Sequence, residues 1–209
     1  MKLYYSPGAC SLAVHIMLEE LGEPYQTEMV STGNGSTRTD KHLTVNPKGQ
    51  VPVLDLGNEV LTEVSAIMLY LTFTFGANLD LDTSPNTLVR AVEWMNWLSS
   101  GVHAGPVTQC WNTDRLTEDP SHHSSIQAKG RKRLRDVYNL IERKIPKTGY
   151  VLGGFSAVDP CLVGYFRWGN RLGLDMRTDF PNWTRHCLQM LERPAVNTVL
   201  AEEKLSVWE

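Results

Sequence analysis

Asn46-Pro47-Lys48-Gly49-Gln50-Val51-Pro52-Val53-Leu54 is the stretch from which the fold is worked out. Pro47 and Gly49 mark an approach loop, since proline presets φ and glycine supplies the positive φ that tight turns need. Pro52 follows a β-branched valine and leads into an apolar run. The Val51-Pro52 peptide is therefore expected to be cis, a form that bonds to other residues almost never take. Proline also lacks a backbone donor, which confines it to strand starts and edges. The backbone of Val51 is then free for an extended peptide ligand to lie against it as an extra strand. Eleven residues after Pro52, Glu63 stands at the head of a long apolar segment.

Upstream, Tyr4-Tyr5-Ser6-Pro7-Gly8-Ala9-Cys10-Ser11 reads as a short strand, a proline-glycine turn and a helix that begins near Cys10. The free amides and dipole at a helix N-terminus favour a thiolate or a bound anion, so the Cys10 thiol is expected to titrate below its ordinary value. Ser11 is a second hydroxyl-bearing candidate at the same place. No second cysteine follows in Cys10-Ser11-Leu12-Ala13, so disulfide chemistry at Cys10 needs a thiol from outside the chain.

The pattern changes once along the chain. Segments 2–5, 26–30, 52–56 and 59–61 read as strands, alternating with helices over 10–22, 38–45 and 63–76. Residues 79–86, Leu79-Asp80-Leu81-Asp82-Thr83-Ser84-Pro85-Asn86, have the polar and proline punctuation of a linker. Helical periodicity then runs over 87–112, 123–145, 157–172, 181–192 and 195–203. The expectation is an α/β thioredoxin-like N-terminal domain, residues 1–78, plus an all-α C-terminal domain, residues 87–209. Ser156 and Asp159 form a capping pair ahead of the apolar run from Cys161 to Phe166, with a structural role.

These stretches together resemble the glutathione transferases. The Ser6-Pro7-Gly8-Ala9-Cys10-Ser11 start resembles the bacterial beta class, which carries a cysteine there. The resemblance covers essentially the whole chain and extends to Leu61-Thr62-Glu63, Glu93-Trp94-Met95-Asn96-Trp97 with His103, Phe155-Ser156-Ala157-Val158-Asp159 and Leu191-Glu192-Arg193-Pro194-Ala195-Val196. It implies that glutathione is the co-substrate, conjugated as a thiolate to a small apolar electrophile, with thiol-disulfide exchange through Cys10 as a sibling activity. Cys10, Ser11 and His103 are the candidates for activating the sulfur. Val51 and Pro52 would pair with the cysteinyl part of glutathione. Glu63 and the Val64 amide would hold its γ-glutamyl end, and Asn96 would reach that end from the second subunit of a homodimer. Trp97, His103, Val107, Cys110 and Trp111 would line the electrophile cleft. Residues 31–37 lack the lysines that beta-class proteins commonly place against the glycyl carboxylate, leaving Arg38, Lys41 or Lys48 to compensate. The alternative is a non-catalytic binding or interaction protein that kept the fold.

Composition narrows the remaining classes. The chain has 209 residues, 42% hydrophobic and 21% charged, enough for a substantial core. No uninterrupted apolar segment suggests a signal peptide or a membrane span, so the expected location is the cytoplasm. Cys10, Cys110, Cys161 and Cys187 lack metal-type spacing and fit a reducing compartment; no metal site is expected. Residues 1–80 carry four basic and nine acidic side chains, so bulk charge cannot attract an anionic ligand there. Arg131-Lys132-Arg133-Leu134-Arg135 lies in a helical pattern with Leu134, Val137, Leu140 and Ile141 spaced for a buried face, which argues for a solvated helix surface and against nucleic-acid binding.

Overall fold

A computed structural model describes residues 1–209. The first part is a four-stranded mixed sheet with three helices: β1 (Lys2–Tyr5), α1 (Ser11–Leu21), β2 (Gln26–Met29), α2 (Asp40–Val45), β3 (Val53–Asp55), β4 (Val60–Thr62) and α3 (Val64–Phe75). The strand order is β2-β1-β3-β4, with β2 parallel to β1 and β3 antiparallel to both its neighbours. This is the thioredoxin-like layout, and an all-helical part follows. It comprises α4 (Pro85–Asn96), α5 (Thr108–Trp111), α6 (His123–Lys144), α7 (Val158–Arg171), α8 (Met176–Asp179), α9 (Pro181–Leu191) and α10 (Pro194–Glu202).

α1 shows how the two parts are joined. Leu12, Val14, Ile16, Met17 and Leu18 leave it apolar on every side, and every residue from Ser11 to Leu18 is buried. A helix of that kind belongs inside a core and not on a surface. It packs on α3 beside the sheet and on α7 and α10 of the helical part. Truncating any of its fully buried large side chains to alanine should cost about 2–5 kcal/mol. Gly22 ends it in the left-handed conformation at φ 68°, its N–H donating to the Glu19 carbonyl.

Two helical readings need correction. The single helix expected over 87–112 is interrupted: Trp97–Val107 is wound as a π-helix, Pro106 lies within it, and Gly105 leaves helical geometry at φ −91°, ψ −110°. Proline removes the N–H needed for a regular turn, and the chain widens to accommodate it. On α6 the buried face is Gly130, Leu134, Tyr138 and Ile141, whereas Leu140 is 45% exposed. Leu140 lies six residues beyond Leu134, about 120° off the stripe.

α7 is the central helix of the second part, buried continuously from Val158 to Gly169. Its start is fixed by the Asp159 carboxylate, which accepts the Ser156 N–H and hydroxyl, each at 2.8 Å, and pairs with buried His186 at 2.8 Å. The capping role expected of Ser156 and Asp159 is thus visible, with His186 as an added partner. No helix is long and apolar enough to cross a membrane.

Candidate active site

Cys10 occupies the N-cap of α1, and no side chain caps that end. Its thiol donates to the Val51 carbonyl at 3.4 Å, so the two sequence signals meet at one point. Ser11 does not join them. Its side chain is fully buried, its hydroxyl donating to the Ser6 carbonyl at 3.2 Å and accepting the Ser6 N–H at 3.1 Å. A hydroxyl engaged on both sides closes the β1–α1 turn.

The expectation of a depressed Cys10 thiol is also corrected. The residue keeps some exposed surface, yet protein surrounds the sulfur, and burial pushes the thiol up to about 11. The Glu63 carboxylate pushes in the same direction, and the backbone amides of Cys10 and Ser11 oppose both without prevailing. At neutral pH the unliganded Cys10 is therefore a thiol and a hydrogen-bond donor.

The Val51-Pro52 peptide is cis. β3 is an inner strand, flanked by β1 and β4, so Val51 is not on an ordinary sheet edge. The opening arises from the register. Val53 pairs with Thr62, the last residue of β4, and the chain then turns into α3, so the backbone of Val51 runs on beyond the ladder. An extended ligand can continue the sheet there.

At that turn Glu63 adopts φ 71°, ψ 125°, a conformation that residues other than glycine rarely hold and that clusters at ligand sites. It turns the carboxylate outward and starts α3 at Val64 with no side-chain cap. The amides of Val64 and Ser65 are left without intrahelical acceptors, a natural seat for a carboxylate. The carboxylate of Glu63 pairs with the Lys48 ammonium, which also donates to Thr62 Oγ1 at 2.7 Å.

The three cations expected to replace the missing lysines differ in availability. Lys41 is tied to Glu28 at 2.6 Å and Lys48 to Glu63. Arg38 has no carboxylate partner. Its guanidinium lies against Gly49 and donates to the Lys48 carbonyl at 3.3 Å.

His103 projects from the distorted segment and packs on Trp168, ring centroids 4.8 Å apart. Burial lowers its pKa and the Arg115 charge adds to that, so the ring is neutral near pH 7 and able to accept a proton. Trp168 donates its Nε1–H to the Gly8 carbonyl at 2.8 Å, which places His103 one ring away from the Cys10 loop. Trp111, 39% exposed, meets Trp168 edge-on at 5.7 Å. Val107 and Cys110, expected in the electrophile cleft, are both buried, and the Cys110 sulfur lies against Gly130 of α6. Trp97 packs on Trp94 at 5.3 Å, and Asn96 is exposed at the end of α4.

Several supports escaped the sequence reading. Glu203, buried near the C-terminus, accepts the Gly8 N–H at 2.8 Å and holds His15 Nδ1 at 2.8 Å. His15, given no role from sequence, is the inner partner of that clasp. Trp168 and Glu203 lie 160 and 195 positions from Gly8, and no local pattern connects residues so far apart.

The family model described as Glutathione S-transferase, N-terminal domain, matches residues 8–72. The glutathione S-transferase GstA of Escherichia coli O157:H7 is 31% identical over 210 residues, spanning 98% of this chain and 100% of the relative. A glutathione transferase homolog from sulfitobacter with bound glutathione superposes with a TM-score of 0.89 at 28% identity, over 96% of this chain and 97% of that one. The beta-class glutathione S-transferase of Sphingomonas chungbukensis gives 0.84 at 29% identity, over 99% and 100%.

Proposed function

The chain belongs to the glutathione S-transferase family, and from that premise we propose that it conjugates glutathione to electrophiles at the site where Cys10 meets Val51. It is a transferase with glutathione as its co-substrate. The observation that carries the placement is the 3.4 Å contact between the Cys10 thiol and the Val51 carbonyl. It supports a site to which the Cys10 sulfur, the open end of β3 and the N-termini of α1 and α3 all contribute.

Glutathione lies along Val51 and Pro52, its γ-glutamyl carboxylate on the Val64 and Ser65 amides and its ammonium on Glu63, which exchanges Lys48 for the ligand. Its glycyl carboxylate meets Arg38, the one nearby cation without a carboxylate partner. Cys10 donates its S–H to the glutathione thiolate, and that role suits a neutral thiol. Neutral His103 takes the proton that glutathione gives up. The thiolate then attacks an electrophile held beside Trp111 and Trp168. Conjugation is favoured over disulfide exchange, because exchange through Cys10 requires a thiolate that burial disfavours.

Residues 1–78 supply the glutathione site and residues 87–209 the electrophile site. The protein works as a cytoplasmic homodimer in detoxification, with Asn96 of the neighbouring subunit at the γ-glutamyl end. Phe73 on α3 and Val89 on α4, each 65% exposed in the single chain, support a second copy covering this face.

Calorimetric titration with glutathione, followed by turnover of 1-chloro-2,4-dinitrobenzene in the same preparation, tests the reading. Saturable binding with turnover is expected. Binding without turnover of any electrophile or disulfide would instead identify a binding module.

A further inference from the structure

The electrophile side of the site carries two exposed arginines, Arg115 and Arg171, that an apolar substrate does not use. Trp168 is the centre of an aromatic group in which Tyr165, His103 and Trp111 lie 4.8, 4.8 and 5.7 Å away by ring centroid. Trp168 and Tyr165 are 4% and 7% exposed, so the ring this group offers to a planar substrate is that of Trp111, 39% exposed. Arg171, one helical turn beyond Trp168 on α7, places its guanidinium 5.6 Å from the centre of the exposed Trp111 ring. The arginine ion pairs of the chain are those of Arg90, Arg135 and Arg193, and neither Arg171 nor Arg115 is in one.

Two further observations point the same way. Arg115 stands near enough to His103 to lower its pKa, adding to the effect of burial. Arg167, one turn before Arg171, is buried with Nη1 unpartnered; burial and the Arg171 charge lower its pKa, opposed by Glu203 and Glu209. Its Nη1 would lie 2.5 Å from a Cβ at Gly8, two residues before Cys10. A guanidinium without a carboxylate partner beside the exposed Trp111 indole matches a carboxylate attached to an aromatic ring.

Resting on the transferase reading above, we propose that the second substrate is a planar aromatic electrophile bearing a carboxylate, its ring against Trp111 and its carboxylate on Arg171, with Arg115 as the second cation. This differs from the small apolar electrophile expected from sequence in carrying an anionic group. For a chloroarene the glutathione sulfur forms a bond to the ring carbon that bears chlorine. Chloride leaves with the bonding pair, and the thiol proton passes to solvent by way of His103. Neither oxidant nor reductant is needed.

The test compares 4-chloro-3-nitrobenzoate with its neutral analogue 4-chloro-3-nitrobenzamide, each kcat/KM divided by the uncatalysed rate with glutathione. The benzoate is expected to be preferred on the order of tenfold at low salt, with the preference shrinking as salt is raised. Arg171→Gln should bring the ratio close to one, and Arg115→Gln should reduce it by less. Equal treatment of the two substrates by the unaltered protein overturns the proposal and leaves the transferase reading intact. So does an Arg171→Gln protein that loses both activities in the same proportion. If neither compound turns over, calorimetry with the two glutathione conjugates decides. Tighter binding of the carboxylate conjugate, lost in Arg171→Gln, supports the proposal, and equal binding of both conjugates overturns it. Failure of glutathione itself to bind would instead remove the transferase reading.

Discussion

The Glu203 carboxylate accepts the Gly8 amide hydrogen at 2.8 Å, joining the tenth helix to the turn that presents Cys10. Both carboxylate oxygens are used, the other by His15, and neither side chain is exposed. Glu203→Ala would leave a buried amide and a buried ring nitrogen without partners, at a cost of about 3 kcal/mol or more. Urea unfolding checks this against Glu202→Ala, whose half-exposed carboxylate sits 3.2 Å from the other His15 nitrogen and should matter less. Equal losses in the two variants would contradict the clasp.

Gly8 itself should be intolerant of change. It holds φ 68°, and any Cβ there meets Arg167 Nη1, whose guanidinium is anchored by its Nε–H donating to the Ser206 carbonyl at 3.0 Å. Gly8→Ala is expected to cost about 1–3 kcal/mol in unfolding free energy and to weaken glutathione binding, since the Cys10 turn must shift. An alanine variant with unchanged stability and affinity would show that the turn is not held as described.

Labelling of Cys10 should rise with pH. The thiol sits at about 11, so below that value only a small fraction is thiolate, and the iodoacetamide rate should climb about tenfold per pH unit from pH 7 to 9. One label per chain is expected by intact mass, and none in Cys10→Ala, because Cys110, Cys161 and Cys187 are buried. A rate that levels off near pH 7 would mean that the helix amides prevail over burial.

Arg38→Ala should weaken glutathione by about one to two decades, the loss of one charge-assisted hydrogen bond. The same substitution should leave the affinity for γ-glutamylcysteine, which lacks the glycyl carboxylate, nearly unchanged. Calorimetry on both ligands separates this from a general disturbance of the loop. An equal loss for the two would remove Arg38 from the site.

In sedimentation the protein should behave as twice its 23.5 kDa chain mass, and Phe73→Asp should return it to the monomer. A monomer that turns over glutathione normally would contradict both the dimer and the role of Asn96.

Much of the fold was legible in the sequence because its signals are local. Proline and glycine punctuation placed β1 with the turn after it and β3 with the turn before it, and period-3.6 patterns placed α6, α7 and α9 within a residue or two. The π-wound segment was not legible. Pro106 announces a disturbance, but only packing against α6 decides whether the helix breaks, bends or widens. The site divides in the same way. Val51 and Pro52 announce themselves by a proline after a β-branched residue, whereas the positive φ of Glu63 has no signal in the sequence. The titration of Cys10 depends on how deeply its neighbours enclose the sulfur, and the partners of Gly8 come from the far end of the chain.

The proposed site holds glutathione between Val51 and the N-termini of α1 and α3 with its sulfur beside Cys10. Amide NMR of 15N-labelled protein titrated with glutathione tests it most directly. The largest shifts are expected at Cys10, Val51, Val64 and Ser65, saturating together. Shifts that leave Val51 and Val64 unmoved while another surface responds would contradict it.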